Sequence, residues 1–117
     1  DLTNLGGLEA ARTLLQEGKP PTAIFASNDI SALGVMAACQ EFGLSIPADI
    51  SIIGYDGIAL GALRTLSLTT IAQPLGLMGQ VAAQRLFDRM AGTQIDDRSI
   101  VLEPELLTRG TTAPPRV

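Results

Sequence analysis

Three polar residues stand at the ends of two short apolar segments, and they are the groups in this sequence best placed to bind a small molecule. Asn28 and Asp29 come at the end of the segment 22–26, and Asp56 closes the segment 49–56. A carboxylate accepts hydrogen bonds from hydroxyl groups, while a carboxamide both donates and accepts them. Such a set suits a neutral, hydroxyl-rich ligand, provided that the two segments end at the same edge of one sheet.

Each of these residues also has a structural explanation that the sequence alone leaves open. Asn28 and Asp29 precede a predicted helix and could cap its free N–H groups. Asp56 could open a turn together with Gly57. If Asp29 is mainly a cap, asparagine should replace it with little effect on ligand binding, because asparagine caps a helix nearly as well.

The first half of the chain alternates helix and strand. Apolar residues at helical spacing predict a first helix that stops at Gly18, and the segment 22–26 then predicts a buried strand. A second apolar stripe predicts a helix that ends at Gly43. The isoleucines of segment 50–53 predict a central strand buried on both faces. This order is typical of an α/β fold with a doubly wound parallel sheet, in which ligands bind beyond the carboxyl ends of the strands.

The second half has a less regular pattern. It predicts one or two helical turns within 58–66 and a helix over 74–91. It also predicts extended chain at 68–71, 99–102 and 105–109. A polar loop separates the last helix from the extended segments. We expect the tail from residue 111 onwards to be loose.

Composition argues against several classes of function. The chain has 117 residues, enough for one domain, and carries 8 basic and 12 acidic side chains for a net charge of −4. It has no histidine and one cysteine, so neither a Ser–His nor a Cys–His pair can form. Asp96 and Asp97 could in principle hold a cation, but adjacent acids in a polar loop are usually solvated. We therefore predict no enzyme activity, metal, cofactor or membrane span, and no basic surface for nucleic acid within this sequence.

Four motifs together resemble one known family. They read PTAIFASND at 21–29 followed by ALG at 32–34, IPADISIIGYD at 46–56, LTTIAQP at 68–74 and RGTT at 109–112. In this order and at this spacing they resemble the effector-binding domain of LacI/GalR-type transcriptional repressors. The likeness runs from residue 1 to about residue 112.

The resemblance implies a periplasmic-binding-protein-like fold, in which two α/β lobes surround a small-molecule cleft. This sequence would be the C-terminal part of such a domain. Residues 1–70 would form the second lobe, and 71–104 would be a crossover segment that belongs to the first lobe. Residues 105–112 would return to the second lobe, and 113–117 would be a tail. The DNA-binding helix-turn-helix and most of the first lobe would lie outside this sequence.

The ligand residues of the family carry over to four positions. Asn28 falls where the family places an asparagine or aspartate that bonds sugar hydroxyls, and Asp56 falls where its acidic hydroxyl acceptor lies. Gln73 matches a glutamine that faces the cleft, although it could equally be a linker residue. Leu2 falls where many members place an aromatic ring against the ligand, and a leucine offers apolar contact only. Gly57 is a second departure, because the family often has another acid there.

The resemblance predicts the effector-sensing and dimerising part of a cytoplasmic repressor, with a sugar-like or nucleoside-like ligand and DNA contacts made only by the missing domain. In the family, the helix after the Asn-Asp motif packs against its twofold mate. Leu33 and Met36 are therefore the predicted dimer contacts, unless both simply face the sheet. The alternative is a sugar-binding protein of a transport system with the same fold. A third hypothesis is an enzyme that uses the carboxylates of Asp29 and Asp56.

Overall fold

The computed structural model describes residues 1–93 and 99–115. Helices and strands alternate through the first half of the chain. In chain order, the elements are α1 (Asn4–Gln16), β1 (Ala23–Phe25), α2 (Asp29–Glu41), β2 (Ser51–Asp56), the 3-10 helix Ala59–Ala62, β3 (Thr69–Ala72), α3 (Leu75–Met90) and β4 (Glu105–Leu107). No helix in the described part of the chain is both long and apolar enough to cross a membrane.

The strands form one open sheet in the order β1-β2-β3-β4. β1 and β3 both run parallel to β2, with Ile24 opposite Ile52 in the first of these pairs. The predicted α/β fold with a parallel sheet is therefore confirmed. The chain divides into two compact units, the first formed by Asp1–Ala72 with Leu106–Val117 and the second by Gln73–Glu105.

The two helices of the first unit pack closely because each presents a glycine to the backbone of the other. A Cβ atom on Gly7 would lie 2.1 Å from the carbonyl oxygen of Ser31, and one on Gly34 would lie 2.0 Å from that of Asn4. No larger residue fits at either position without moving a helix. The close packing brings the start of α1 beside the first turns of α2.

The core of the first unit is built mainly from small and branched apolar side chains. Its buried members are Ala11, Leu15, Ala26, Ala32, Val35, Ala38, Cys39, Ile50, Ile52 and Leu68. Cys39 is fully buried, and burial raises the pKa of its thiol. The thiol therefore stays protonated at neutral pH and packs as a small apolar group.

Two strands are less buried than the sequence predicted. β1 lies at an edge of the sheet, and Phe25 is 61% exposed there. In β2, Ile52 and Gly54 are buried, while Ile53 and Tyr55 on the opposite face are only half-buried. The prediction of two fully buried strands is wrong on these points, because the core of the described chain packs against the Ile52 face alone.

The segment that follows β4 is anchored, contrary to the prediction of a loose tail from residue 111. The Thr111 hydroxyl donates to the carbonyl oxygen of Ile52 (2.7 Å) and accepts from the N–H of Thr69 (2.9 Å). The Thr111 carbonyl oxygen accepts from the N–H of Ile52 at 2.8 Å. Ala113 bonds the Ser51 hydroxyl through both its N–H and its carbonyl oxygen, each at 3.1 Å. These bonds satisfy backbone groups of β2 and β3 that would otherwise lack a partner in the sheet.

The second unit contains α3, none of whose residues is buried. Its exposed apolar side chains are Leu75, Leu77, Met78, Leu86, Phe87 and Met90. Residues 99–102 form no strand, although an extended segment was predicted there. A strand needs a hydrogen-bonding neighbour, and all the strands of the described residues belong to one sheet that does not include this segment. Asp96 and Asp97 lie outside the described residues.

Candidate ligand-binding site

The carboxyl ends of β1 and β2 lie side by side. The N–H of Ala26, which directly follows β1, donates to the carbonyl oxygen of Ile53 at 2.9 Å. Asn28 comes shortly after the first of these residues, and Asp56 shortly after the second. Because the two strands are parallel, Asn28 and Asp56 lie at the same edge of the sheet. In open α/β sheets this is the edge at which ligands bind.

Asn28 caps α2 and also contacts Leu2. Its Oδ1 accepts from the N–H of Ser31 at 2.8 Å, and the Ser31 hydroxyl accepts from the Asn28 N–H at 3.3 Å, which completes a capping box. Its Nδ2 donates to the carbonyl oxygen of Leu2 at 3.0 Å. A carboxamide nitrogen carries two N–H groups, and the bond to Leu2 uses one of them. The capping role and a ligand-binding role are therefore compatible.

Asp29 is fully buried and does not cap α2. Its Oδ1 accepts from the Thr70 hydroxyl at 2.5 Å, and its Oδ2 accepts from the N–H of Ile58 at 2.8 Å. Of the explanations that the sequence left open for Asp29, capping is therefore wrong. Asp29→Asn is therefore no longer expected to leave ligand binding unchanged. Asparagine offers one neutral acceptor oxygen in place of two anionic ones.

Asp56 ends β2 in a strained backbone conformation. Its φ is +115°, and that of Gly57 is +75°. Positive φ is costly for a residue with a Cβ atom, and such outliers cluster at binding sites. A Cβ atom on Gly57 would lie 2.6 Å from the Cβ of Ala72, so glycine is required there both by conformation and by space. This requirement gives a physical reason for the absence of a second acid at position 57.

The four predicted ligand residues divide between the two units. Leu2, Asn28 and Asp56 belong to the first unit, where Leu2 is 64% exposed and lies against Asn28. Gln73 directly follows β3 in the chain and is the first residue of the second unit. The structure thus brings Leu2 and Asn28 into contact and puts Asp56 at the same sheet edge as Asn28.

Sequence reasoning missed Thr70, whose hydroxyl holds Asp29. Thr70 is completely buried in β3. The available signal was a threonine within a segment predicted to be extended, because a hydroxyl that becomes buried in a strand needs a hydrogen-bond partner. Within residues 1–93 and 99–115, no three His, Cys, Asp or Glu side chains are grouped so that they could hold a metal ion.

Comparison with known proteins identifies the family to which this chain belongs. Residues 2–112 match the periplasmic binding protein-like domain family, and the chain belongs to that family. It is 40% identical over 112 residues to the HTH-type transcriptional repressor CytR of Escherichia coli (strain K12), covering 96% of this chain and 33% of CytR. It is 39% identical over 107 residues to the HTH-type transcriptional repressor PurR of Proteus mirabilis (strain HI4320), covering 92% of this chain and 31% of PurR. The chain therefore spans about a third of the length of these relatives.

Solved structures of LacI-type regulators share the fold. The dimeric Lac repressor with an 11-residue C-terminal deletion matches with a TM-score of 0.90 and 36% identity, covering 97% of this chain and 42% of that one. A LacI family transcriptional regulator from Enterococcus faecium with bound ribose matches with a TM-score of 0.86 and 37% identity, again covering 97% and 42%. The chain thus corresponds to the C-terminal part of the effector-binding region of LacI-type regulators.

Proposed function

We propose that this chain is the effector-sensing and dimerising part of a LacI-type transcriptional regulator and that it binds a sugar-like or nucleoside-like ligand. The observation that carries the proposal is the convergence of Asn28 and strained Asp56 on one sheet edge, in a fold shared with such regulators. DNA would be contacted by a separate helix-turn-helix domain that this sequence does not contain. The protein would act in the cytoplasm and without enzymatic turnover.

The chemistry of the first unit suits a ring that carries hydroxyl groups. An ionised Asp56 accepts hydrogen bonds from ligand hydroxyls, and the second N–H of the Asn28 carboxamide donates to a ligand oxygen. The Leu2 side chain is exposed, and its backbone carbonyl oxygen is bonded to Asn28, so we propose that Leu2 offers an apolar surface to the ring. Gln73 is proposed as a fourth ligand residue on the strength of the family resemblance.

The two units support a division into two lobes. We assign residues 1–70 and 105–112 to the second lobe and 71–104 to the first. The uncovered side chains of α3 support this assignment, because a helix with exposed apolar residues and none buried is typical of one that another surface covers. In the complete regulator, a ligand with different affinities for the open and closed lobes would shift their equilibrium and so the geometry of the DNA-binding domains.

A surface on α2 supports dimerisation. Leu33, Met36 and Ala37 recur at helical spacing and are half-buried. With the neighbouring side chains Leu44, Ile46 and Leu66 they line an open, mainly apolar groove of about 550 Å³, which we call the α2 surface. Met36 packs partly against the core, whereas Leu33 is not among the side chains that do so, and Leu33 is therefore the more direct probe of a dimer contact. A twofold axis would pair this patch with itself.

The test uses the full-length protein with its own promoter DNA. Thermal unfolding is measured with D-ribose, adenosine, cytidine and methyl β-D-galactoside, because a ligand at a hundred times its Kd stabilises the fold by about 2.7 kcal/mol. We expect a compound of one of these classes to raise the Tm and to change the affinity for promoter DNA.

Two outcomes would contradict this function. A compound that raises the Tm but leaves the affinity for promoter DNA unchanged would show that ligand binding does not regulate DNA binding. A signal peptide in the coding sequence upstream of residue 1, with no helix-turn-helix, would indicate a sugar-binding protein of a transport system instead.

A further inference from the structure

Asp29 is a buried acid for which ligand binding supplies no role. It is 0% exposed, so its carboxylate cannot touch a ligand in the open site. It does not cap α2, since Asn28 does so. Burying a charged group is costly unless it is hydrogen-bonded. A function of Asp29 must therefore act through the hydrogen bonds that it accepts.

Those bonds join three separate parts of the first unit. Asp29 is the first residue of α2, the Thr70 hydroxyl belongs to β3, and the Ile58 N–H belongs to the turn after β2. Hydrogen bonds to a charged acceptor are stronger than those to a neutral one. A single carboxylate thus ties the start of α2 to the turn that carries Asp56.

The neighbouring strand leaves room for this carboxylate. A Cβ atom on Gly54 would lie 2.3 Å from Asp29 Oδ1, so any side chain at this position of β2 would displace the acid. Gly54 is two residues before Asp56 in the same strand. The carboxylate therefore sits directly against the last residues of β2.

The turn that Asp29 anchors has a strained backbone. Asp56 and Gly57 have φ values of +115° and +75°, and the next N–H in the chain, that of Ile58, is the one that Asp29 holds. A strained backbone persists only where its surroundings fix it. The direction of the Asp56 side chain depends on this backbone conformation, so a turn that relaxes would aim the carboxylate elsewhere.

We propose that Asp29 is a positioning residue of the ligand site, whose buried carboxylate holds the Asp56–Ile58 turn in the conformation that presents Asp56. The same residue is covalently joined to Asn28, so the two ligand-binding side chains are fixed relative to each other through it. The inference rests on the proposed function of Asp56 and adds to it a residue that never touches the ligand.

The experiment compares Asp29→Asn with Val35→Ala in the full-length protein. Val35 is buried in the core and is not part of the Asp29 network, so its truncation lowers stability without touching the turn. Amide hydrogen exchange is followed at Ile58 and at Ile52. Ile52 serves as the reference, because its N–H in β2 is bonded to Thr111 and not to Asp29. Affinity is measured for whichever of D-ribose, adenosine, cytidine and methyl β-D-galactoside binds the parent.

We expect Asp29→Asn to speed exchange at Ile58 about tenfold more than at Ile52, and to weaken binding about tenfold, because a neutral oxygen replaces an anionic acceptor. Val35→Ala should speed exchange at both amides alike and leave the affinity at the parent value. Unchanged Ile58 exchange in Asp29→Asn would overturn the proposal, as would faster Ile58 exchange with unchanged affinity.

Two other outcomes of the experiment also test the role of Asp29. If Asp29→Asn does not fold, Thr70→Val removes one donor to the carboxylate and Thr70→Ser keeps it, and only the valine variant should loosen the turn and weaken binding. If the parent binds none of the compounds, the proposed function fails. The exchange data then show separately whether Asp29 holds the turn.

Discussion

Asp56→Asn in the full-length regulator should weaken effector binding by about 1.5–3 kcal/mol, which is about ten- to a hundred-fold or somewhat more in Kd. Asparagine preserves the size of the side chain but removes the charge and one acceptor oxygen. Asparagine and aspartate both tolerate a positive φ, so the backbone conformation at the end of β2 should be preserved in the variant. Titration calorimetry gives the affinity directly.

The matched control is Glu9→Gln on α1, which removes the same charge from an exposed helix residue of the first unit that does not belong to the strand ends. It should leave the affinity within about twofold of the parent, because the field of an exposed charge is screened over roughly 10 Å in ordinary salt. An unchanged Kd for a correctly folded Asp56→Asn would remove Asp56 from the site and make it a turn residue.

Leu33→Lys should dissociate the proposed dimer. A twofold contact through the α2 surface brings position 33 of each chain near the other, so the substitution opposes two positive charges in an apolar contact. Like charges facing each other in an interface cost several kcal/mol. Sedimentation velocity at micromolar concentration should show monomers.

The control for that substitution is Thr13→Lys, which adds the same charge to an exposed position on α1. It should sediment as the parent does. A Leu33→Lys protein that remains dimeric, with the helical content of the parent, would place the dimer contact on another surface.

Features set by neighbouring residues in the chain were predictable from the sequence. Gly43 ends α2 with a φ of +67°, and the N–H of Leu44 bonds the carbonyl oxygen of Cys39 at 2.9 Å. A glycine followed by an apolar residue is the local pattern for that ending. The alternation of helix and strand likewise follows from periodicity, so the parallel sheet and the shared edge of Asn28 and Asp56 could be predicted.

Features set by distant residues were not predictable. Asp29 was interpreted as a cap because its partner Thr70 is 41 residues away. Thr111 was assigned to a loose tail because its bond to Ile52 spans 59 residues. The exposure of Phe25 depends on which segments cover the sheet, and the residues of its own strand do not indicate this. A polar side chain shows its own capacity to bond but does not identify the partner that the fold supplies.

The most direct test of ligand sensing at the strand ends is promoter DNA binding by the full-length protein, titrated with the effector and followed by fluorescence anisotropy. The parent and Asp56→Asn should bind DNA equally well without effector. The effector concentration at the midpoint of the response should then be about ten- to a hundred-fold higher for the variant. Identical midpoints for the two proteins would contradict a ligand site built on Asp56.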